Sequence, residues 1–284
     1  MTNRRANTRG SRQRRTGTVL VVLALAALCA FAVPGMAGAA RPAAVTAKAK
    51  PTVVLVHGAF TDASSWTRVI ERLQHAGYSV LAPADPLRSL SGDANYIASV
   101  LASVKRPVVL VGHSYAGMVI TNAAAADANV KALVYISAYI PTVGESAVKL
   151  TGEFPGSQLT SALEEVPFTD GVSKGTDLYI KPGSYRRVFL GPTVPAGLAS
   201  ALAAEQSPLT LAAATAPSAK AAWKRIPSWD LISEQDQIIP PASQLFMAYR
   251  AHAHIVEINS SHALPITHPA AVAALIMRAA TTVG

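Results

Sequence analysis

Four short runs of apolar, largely β-branched residues, alternating with stretches of helical spacing, constrain this chain more than any other feature. Thr52-Val53-Val54-Leu55-Val56 ends at His57-Gly58, a strand meeting a turn. Trp66, Val69, Ile70 and Leu73 then recur at helical intervals, and Gly77 closes that helix. Tyr78 to Ala82 reads as a short strand stopped by Pro83, and Asp93 to Val104 as a helix. Pro107 to Val111 is continuously apolar, as expected of a strand buried on both faces of a parallel sheet. Gly117 to Ala126 reads as a helix and Val130 to Ile136 as a fourth strand. This alternation predicts an α/β fold built on a mostly parallel, doubly wound sheet.

The pattern breaks from Pro141 to about Arg225, a segment rich in Gly, Pro, Ser and Thr. With short apolar pieces such as Leu198 to Leu202 and Leu209 to Ala214, it reads as a helical lid inserted after a strand. Alternation resumes with a strand over Ser228 to Ser233, a helix from about Pro241 to Arg250, a strand over Ile255 to Ile258 and a helix over Pro269 to Ala280. Half of the residues are hydrophobic and 14% are charged, which suits a packed core and excludes a disordered chain.

The formal charge of +9 suggests a nucleic-acid or membrane partner until its location is considered. Arg4, Arg5, Arg9, Arg12, Arg14 and Arg15 all precede the first apolar run, without an acid among them. Setting those six aside from the 25 basic residues leaves 19 against 16 acidic ones, so the basicity belongs to the leader and no nucleic-acid partner is expected. The leader has the form of a secretory signal peptide: basic residues, an apolar run from Val19 to Val33, a Pro34-Gly35 break and small residues at Ala37-Gly38-Ala39. That run is shorter than the roughly 20 residues of a bilayer span, so stable membrane association is not expected after cleavage. The predicted organisation is a signal peptide over residues 1–39, a flexible lead-in over 40–50 and one domain over 51–284, with the lid at about 141–225. Cys29 is the single cysteine and lies in the leader, so the mature, secreted chain would carry no thiol, disulfide or cysteine metal site.

Gly112-His113-Ser114-Tyr115-Ala116-Gly117 follows an apolar strand and opens a helix, the context of a nucleophile elbow. A serine held in so tight a turn needs small neighbours two positions away. Gly112 meets the usual pattern, and Ala116 stands where glycine is expected. Acyl transfer also needs two backbone N–H groups aimed at the developing oxyanion. Tyr115, next after the serine, is one candidate, and Ala59, following His57-Gly58, is the other; His57 itself is expected to order that loop. A serine nucleophile needs a base, and the base an orienting carboxylate, in the chain order Ser, acid, His. Asp236 follows the Ser228 to Ser233 strand, and His262 follows the Ile255 to Ile258 strand. Glu234 is the alternative acid, whereas Asp230 lies within a strand. His75, His113 and His268 read as a solvated, a packing and a helix-start residue. His252 and His254 form an H-x-H pair with no third ligand nearby, so neither metal nor cofactor is expected.

At these residues the sequence resembles a known group. Val54-Leu55-Val56-His57-Gly58-Ala59-Phe60, followed by Ser65-Trp66, resembles the opening of the small α/β-hydrolases that include plant methylesterases and bacterial carboxylesterases. Gly112-His113-Ser114, the run from Asp236 to Pro240, Ser261-His262 and His268-Pro269 are similar to the same group. The resemblance covers the core, about Pro51 to Val134 and Ser228 to Ile276, and not the lid. It implies an α/β-hydrolase fold with Ser114 as nucleophile, Asp236 as acid, His262 as base, and Ala59 and Tyr115 as oxyanion donors. Hydroxynitrile lyases are similar at the opening strand, but they carry a threonine directly after the histidine and a lysine beside the acid-bearing loop. Gly58 and Gln237 stand near those places here.

The expected function is hydrolysis of small to medium apolar or aryl carboxylic esters through an acyl-enzyme. Alternatives within the class are lactone or amide hydrolysis and perhydrolysis; outside it stands a hydrolase-like protein that binds a small ligand without turning it over. Phe154, Phe168, Tyr179 and Phe189 are the aromatic candidates for pocket walls.

Overall fold

The computed structural model describes residues 49–283, so the leader and most of the lead-in lie outside the described residues. Strand β1 (Thr52–Val56) is followed by helix α1 (Thr67–His75), β2 (Ser79–Leu81), α2 (Leu90–Ser103), β3 (Val108–His113), α3 (Ala116–Ala123) and β4 (Val130–Ile136). These elements answer the apolar runs and helical spacings one for one. Helix α2 starts earlier than its apolar periodicity predicts, because Ser89 caps it by accepting the Gly92 N–H at 3.2 Å.

Between β4 and the next core strand lies the insertion. It holds α4 (Ala147–Gly152), α5 (Leu159–Ala162), β5 (Leu163–Thr169), β6 (Lys174–Ile180), α6 (Pro182–Tyr185), α7 (Ala196–Ala204), β7 (Leu209–Thr210) and α8 (Leu211–Thr215). The insertion holds the helices expected of a lid and, beyond them, three strands that form an antiparallel sheet in the order β5-β6-β7. Strand β5 escapes sequence reading because it is an edge strand, largely exposed, with Glu164, Glu165 and Pro167 in it. It needs no apolar alternation, and an edge tolerates a proline. The core then closes with β8 (Ser228–Ser233), α9 (Pro241–Arg250), β9 (His254–Ile258), α10 (Leu264–Thr267) and α11 (Pro269–Val283).

The six core strands pair in parallel in the order β2-β1-β3-β4-β8-β9. Successive side chains of a strand point to opposite faces, so each central strand feeds two cores. Val53, Leu55, Val109 and Val111 pack with α1 and α11 through Val69, Leu73, Val272 and Ile276. Val54, Val56 and Leu110 pack with α2, α3 and α9 through Ile97, Met118 and Met247. Burial on both faces is why β1 and β3 read as nearly unbroken apolar runs. The chain leaves β1 for β2 on one side and returns to β3 on the other, which makes the β1–β3 boundary a topological switch point. Ligand sites of open α/β sheets lie outside the strand carboxyl ends at such a boundary. Here those ends deliver His57-Gly58 and Ser114. No helix among the described residues is long and apolar enough to cross a membrane.

Candidate active site

Ser114 sits between β3 and α3 with φ of +56°, a left-handed conformation that side-chain-bearing residues rarely adopt. The turn is gripped from both sides: Ser114 N–H donates to Ile136 O at 3.2 Å, and Gly117 N–H donates to Ser114 O at 3.0 Å. Gly112 is required, since a Cβ there would lie 2.8 Å from Ala116 O. The departure at Ala116 also has a reason. Crowding on the helix side falls on Gly117, where a Cβ would meet the Tyr139 backbone nitrogen at 2.9 Å, so glycine is needed one residue later than the usual pattern places it.

Asp236 and His262 arrive from the loops after β8 and β9 and meet in a fully buried pair, Nδ1 to Oδ2 at 2.7 Å. Asp236 Oδ1 accepts the N–H groups of Ile238 (2.7 Å) and Ile239 (3.0 Å), while Oδ2 also accepts Gln244 Nε2 at 2.8 Å. Sequence reading missed Gln244, one turn into α9; an amide on a helix face gives no signal without the loop that folds over it. With Nδ1 donating to the carboxylate, His262 Nε2 is the basic nitrogen, and it is buried without a hydrogen-bond partner among the described residues. No Ser114 Oγ to Nε2 hydrogen bond is made here; such bonds are often long until substrate draws them in. Glu234 is exposed and forms no ion pair with His262, and Asp230 is sealed in the sheet, so neither competes with Asp236 for the imidazole.

The loop after β1 closes over the elbow. A Cβ on Gly58 would fall 2.6 Å from His113 O and 2.8 Å from Ser114 Cβ, so only glycine allows this approach. His57 shapes the loop from beneath. The Asp85 N–H, which can only donate, meets His57 Nε2 at 2.9 Å, so Nδ1 carries the proton and gives it to Gly58 O at 2.9 Å. Burial pushes the His57 pKa down, which favours this neutral tautomer. Among the described turns and loops the N–H groups of Ala59 and Tyr115 have no acceptor, whereas Phe60 N–H is held by Ser207 O at 2.8 Å. Two free donors therefore flank Ser114. The Tyr115 phenol is tied down through its bond to Asp93 Oδ2 at 3.0 Å. His113 packs between Trp66, Phe189 and His262, and burial drives its pKa well down.

Ala59, Phe60, Ser114 and Tyr115 open onto a cavity of about 390 Å³. The insertion supplies most of the remaining wall, including Phe154, Leu159, Leu163, Leu178 and Leu209, and no charged side chain among the described residues lines it. Of the four aromatic candidates only Phe154 lines the cavity. Phe189 is buried against His262, with ring centres 5.2 Å apart, and Phe168 packs under the Arg88 guanidinium. Tyr179 lies elsewhere on β6. His254 stacks on Trp229, and no group of three or more metal-ligating side chains gathers among the described residues.

A family model described as the alpha/beta hydrolase family matches residues 53–275, spanning the core strands, the elbow and both loops of the buried pair. The chain belongs to the alpha/beta hydrolase family. Within that family it is 28% identical to the alpha/beta hydrolase nvfD of Aspergillus novofumigatus over 254 residues, covering 81% of this chain and 97% of that one. It is 36% identical to a carbendazim hydrolyzing esterase of a Nocardioides species over 110 residues, 34% of this chain and 46% of that protein. The fold is similar to the crystal structure of an Arabidopsis methylesterase, with a TM-score of 0.65 at 18% identity, covering 82% of this chain and 99% of the other.

Proposed function

We propose that this alpha/beta hydrolase cleaves neutral carboxylic esters with apolar acyl or aryl groups, with Ser114 as nucleophile, His262 as base and Asp236 as orienting acid. The observation that carries the reading is the buried Asp236–His262 pair, which leaves Nε2 as the free nitrogen at the sheet edge where Ser114 is held in its strained turn. His262 takes the Ser114 proton as Oγ attacks the carbonyl carbon. The N–H groups of Ala59 and Tyr115 receive the oxyanion, the role for which such donors must be unoccupied. Collapse of the tetrahedral adduct breaks the ester C–O bond, and His262 gives its proton to the departing alkoxide. Water then attacks the acyl-enzyme by the same route, releasing the acid and restoring Ser114. The uncharged cavity wall supports neutral substrates, because an ionised acyl group would lose its hydration there without a partner. Relatives named as esterases support the same chemistry.

The test is Ser114→Ala assayed on p-nitrophenyl esters of graded acyl length, together with fluorophosphonate labelling. Loss of turnover by about 10⁴ to 10⁶ is expected, as for other triad knockouts, with labelling abolished and the circular dichroism unchanged. Retention of more than about a tenth of the activity would reject Ser114 as nucleophile. An intact wild-type protein that neither labels nor turns over any ester would instead favour a ligand-binding role. We further propose that residues 1–39 direct export and are removed.

A further inference from the structure

The insertion does more than wall the cavity: one of its turns touches both halves of the proposed site. After α6 the chain makes a wide π-type turn over Arg186–Leu190. Toward the oxyanion loop, the Tyr185 phenol donates to Phe60 O at 2.7 Å. Phe60 is itself held at φ of +63°, and its N–H is taken by Ser207 O of the insertion at 2.8 Å. A non-glycine residue persists in that conformation only where its surroundings over-determine it. Here both polar groups of the Phe60 backbone are held by the insertion, and its ring meets Phe189 edge-on at 6.5 Å. Toward the base, Phe189 O accepts the Ala263 N–H at 3.1 Å and Leu190 O accepts the Ser261 hydroxyl at 2.6 Å. These two residues bracket His262. Gly191 allows the approach, since a Cβ there would lie 2.8 Å from Ser261 Cβ. Tyr185 stacks on Phe189 at 5.0 Å, joining the two contacts into one unit.

We infer that Tyr185 is a positioning residue for the oxyanion hole, acting through Phe60 to set the Ala59 N–H against the elbow, and that the Tyr185–Leu190 turn registers this donor relative to His262. The inference rests on the proposed role of Ser114 and Ala59. A donor aimed at the oxyanion acts only on the transition state, so loosening it should lower kcat and leave KM nearly unchanged.

The experiment compares Tyr185→Phe, which keeps the ring and removes only the donating hydroxyl, with Glu145→Gln, which breaks the ion pair tying the insertion to α9 (Glu145–Arg250, 2.7 Å) and touches neither Phe60 nor the Tyr185–Leu190 turn. Tyr185→Phe is expected to lower kcat about tenfold, the effect of one hydrogen bond, with KM within about twofold. Affinity for a boronic acid that forms a tetrahedral serine adduct should fall in proportion to kcat. Both variants should lower Tm, and Glu145→Gln should leave kcat within about twofold. Equal kcat losses in both variants, or a Tyr185→Phe loss confined to KM, would overturn the inference by showing that the hydroxyl only stabilises the insertion. A Tyr185→Phe enzyme with wild-type kcat would overturn it outright. Ser114→Ala separates the two levels: if it is inactive while Tyr185→Phe is unaffected, the positioning role fails and the nucleophile assignment stands.

Discussion

Asp236 accepts four hydrogen bonds, from Ile238 and Ile239 N–H, Gln244 Nε2 and His262 Nδ1, so every partner is a donor and the carboxylate is held in one orientation. An asparagine there would turn an amide NH₂ toward two donors or abandon the loop N–H groups, and the imidazole would be driven to the wrong tautomer. Asp236→Asn should therefore reduce kcat by roughly 10⁴ with little change in KM, whereas Glu234→Gln should retain activity in the same ester assay. Gln244→Met removes a single donor and should lower kcat by about tenfold or less, which separates the supporting amide from the acid. A second buried carboxyl has a different lesson. Asp230 is fully buried on β8, neither oxygen makes a hydrogen bond of good geometry among the described residues, and burial holds its pKa well above the ordinary carboxylate value. The folded state thus keeps a proton that the unfolded chain releases above about pH 3.9. Its contribution to stability is full below that pH and is lost as pH rises toward the folded value. Asp230→Asn carries no such penalty, so its Tm relative to wild type should rise between pH 4 and pH 8 with activity unchanged; a pH-independent difference would refute this.

At the level of elements, the site is the meeting of two strand ends, and glycine decides how closely they meet. Gly58→Ala would press a Cβ against His113 O and Ser114 Cβ, forcing the β1 loop away from the elbow and the Ala59 N–H with it. We expect kcat to fall on the order of 10², the effect of losing one oxyanion donor, while circular dichroism shows the sheet intact. The core elements were legible because the central strands β1, β3, β4 and β8 are buried on both faces and a helix such as α1 on one, so periodicity carries the information. The insertion was legible only as a break in that pattern. The β5–β6 pairing depends on partners supplied by the chain itself several residues away, with Pro167 opposite Thr176 on an edge, and leaves no apolar period to read. The elbow was legible from a hexapeptide, yet the reason Ala116 is acceptable there was not, since it lies in the approach of Tyr139 to Gly117.

For the whole molecule, two expectations concern what the chain carries with it. The proposed mechanism uses backbone donors and a Ser-His-Asp set, so esterase activity should survive EDTA; loss on chelation and recovery with added zinc or calcium would contradict that. Secreted material should begin near residue 40, because the Arg-rich leader, its apolar run and Ala37-Gly38-Ala39 have the form of a cleavable signal. Edman sequencing that returned Met1 from the medium would exclude processing.

The sequence by itself determined the layer architecture, the strand ends that carry Ser114, Asp236 and His262, and the family. These depend on local pattern: apolar period, turn residues and chain order around a sheet of one handedness. Tertiary structure alone decided how those residues are held. Asp85 N–H on His57 and the Tyr185–Leu190 turn on both Phe60 and the His262 loop join residues distant in the chain, and Gln244 meets Asp236, eight residues earlier, only because the intervening loop folds back onto α9. Which distant groups become neighbours is set by packing of the complete fold, and a hydrogen bond requires a placement within a few tenths of an ångström that no spacing in the sequence encodes.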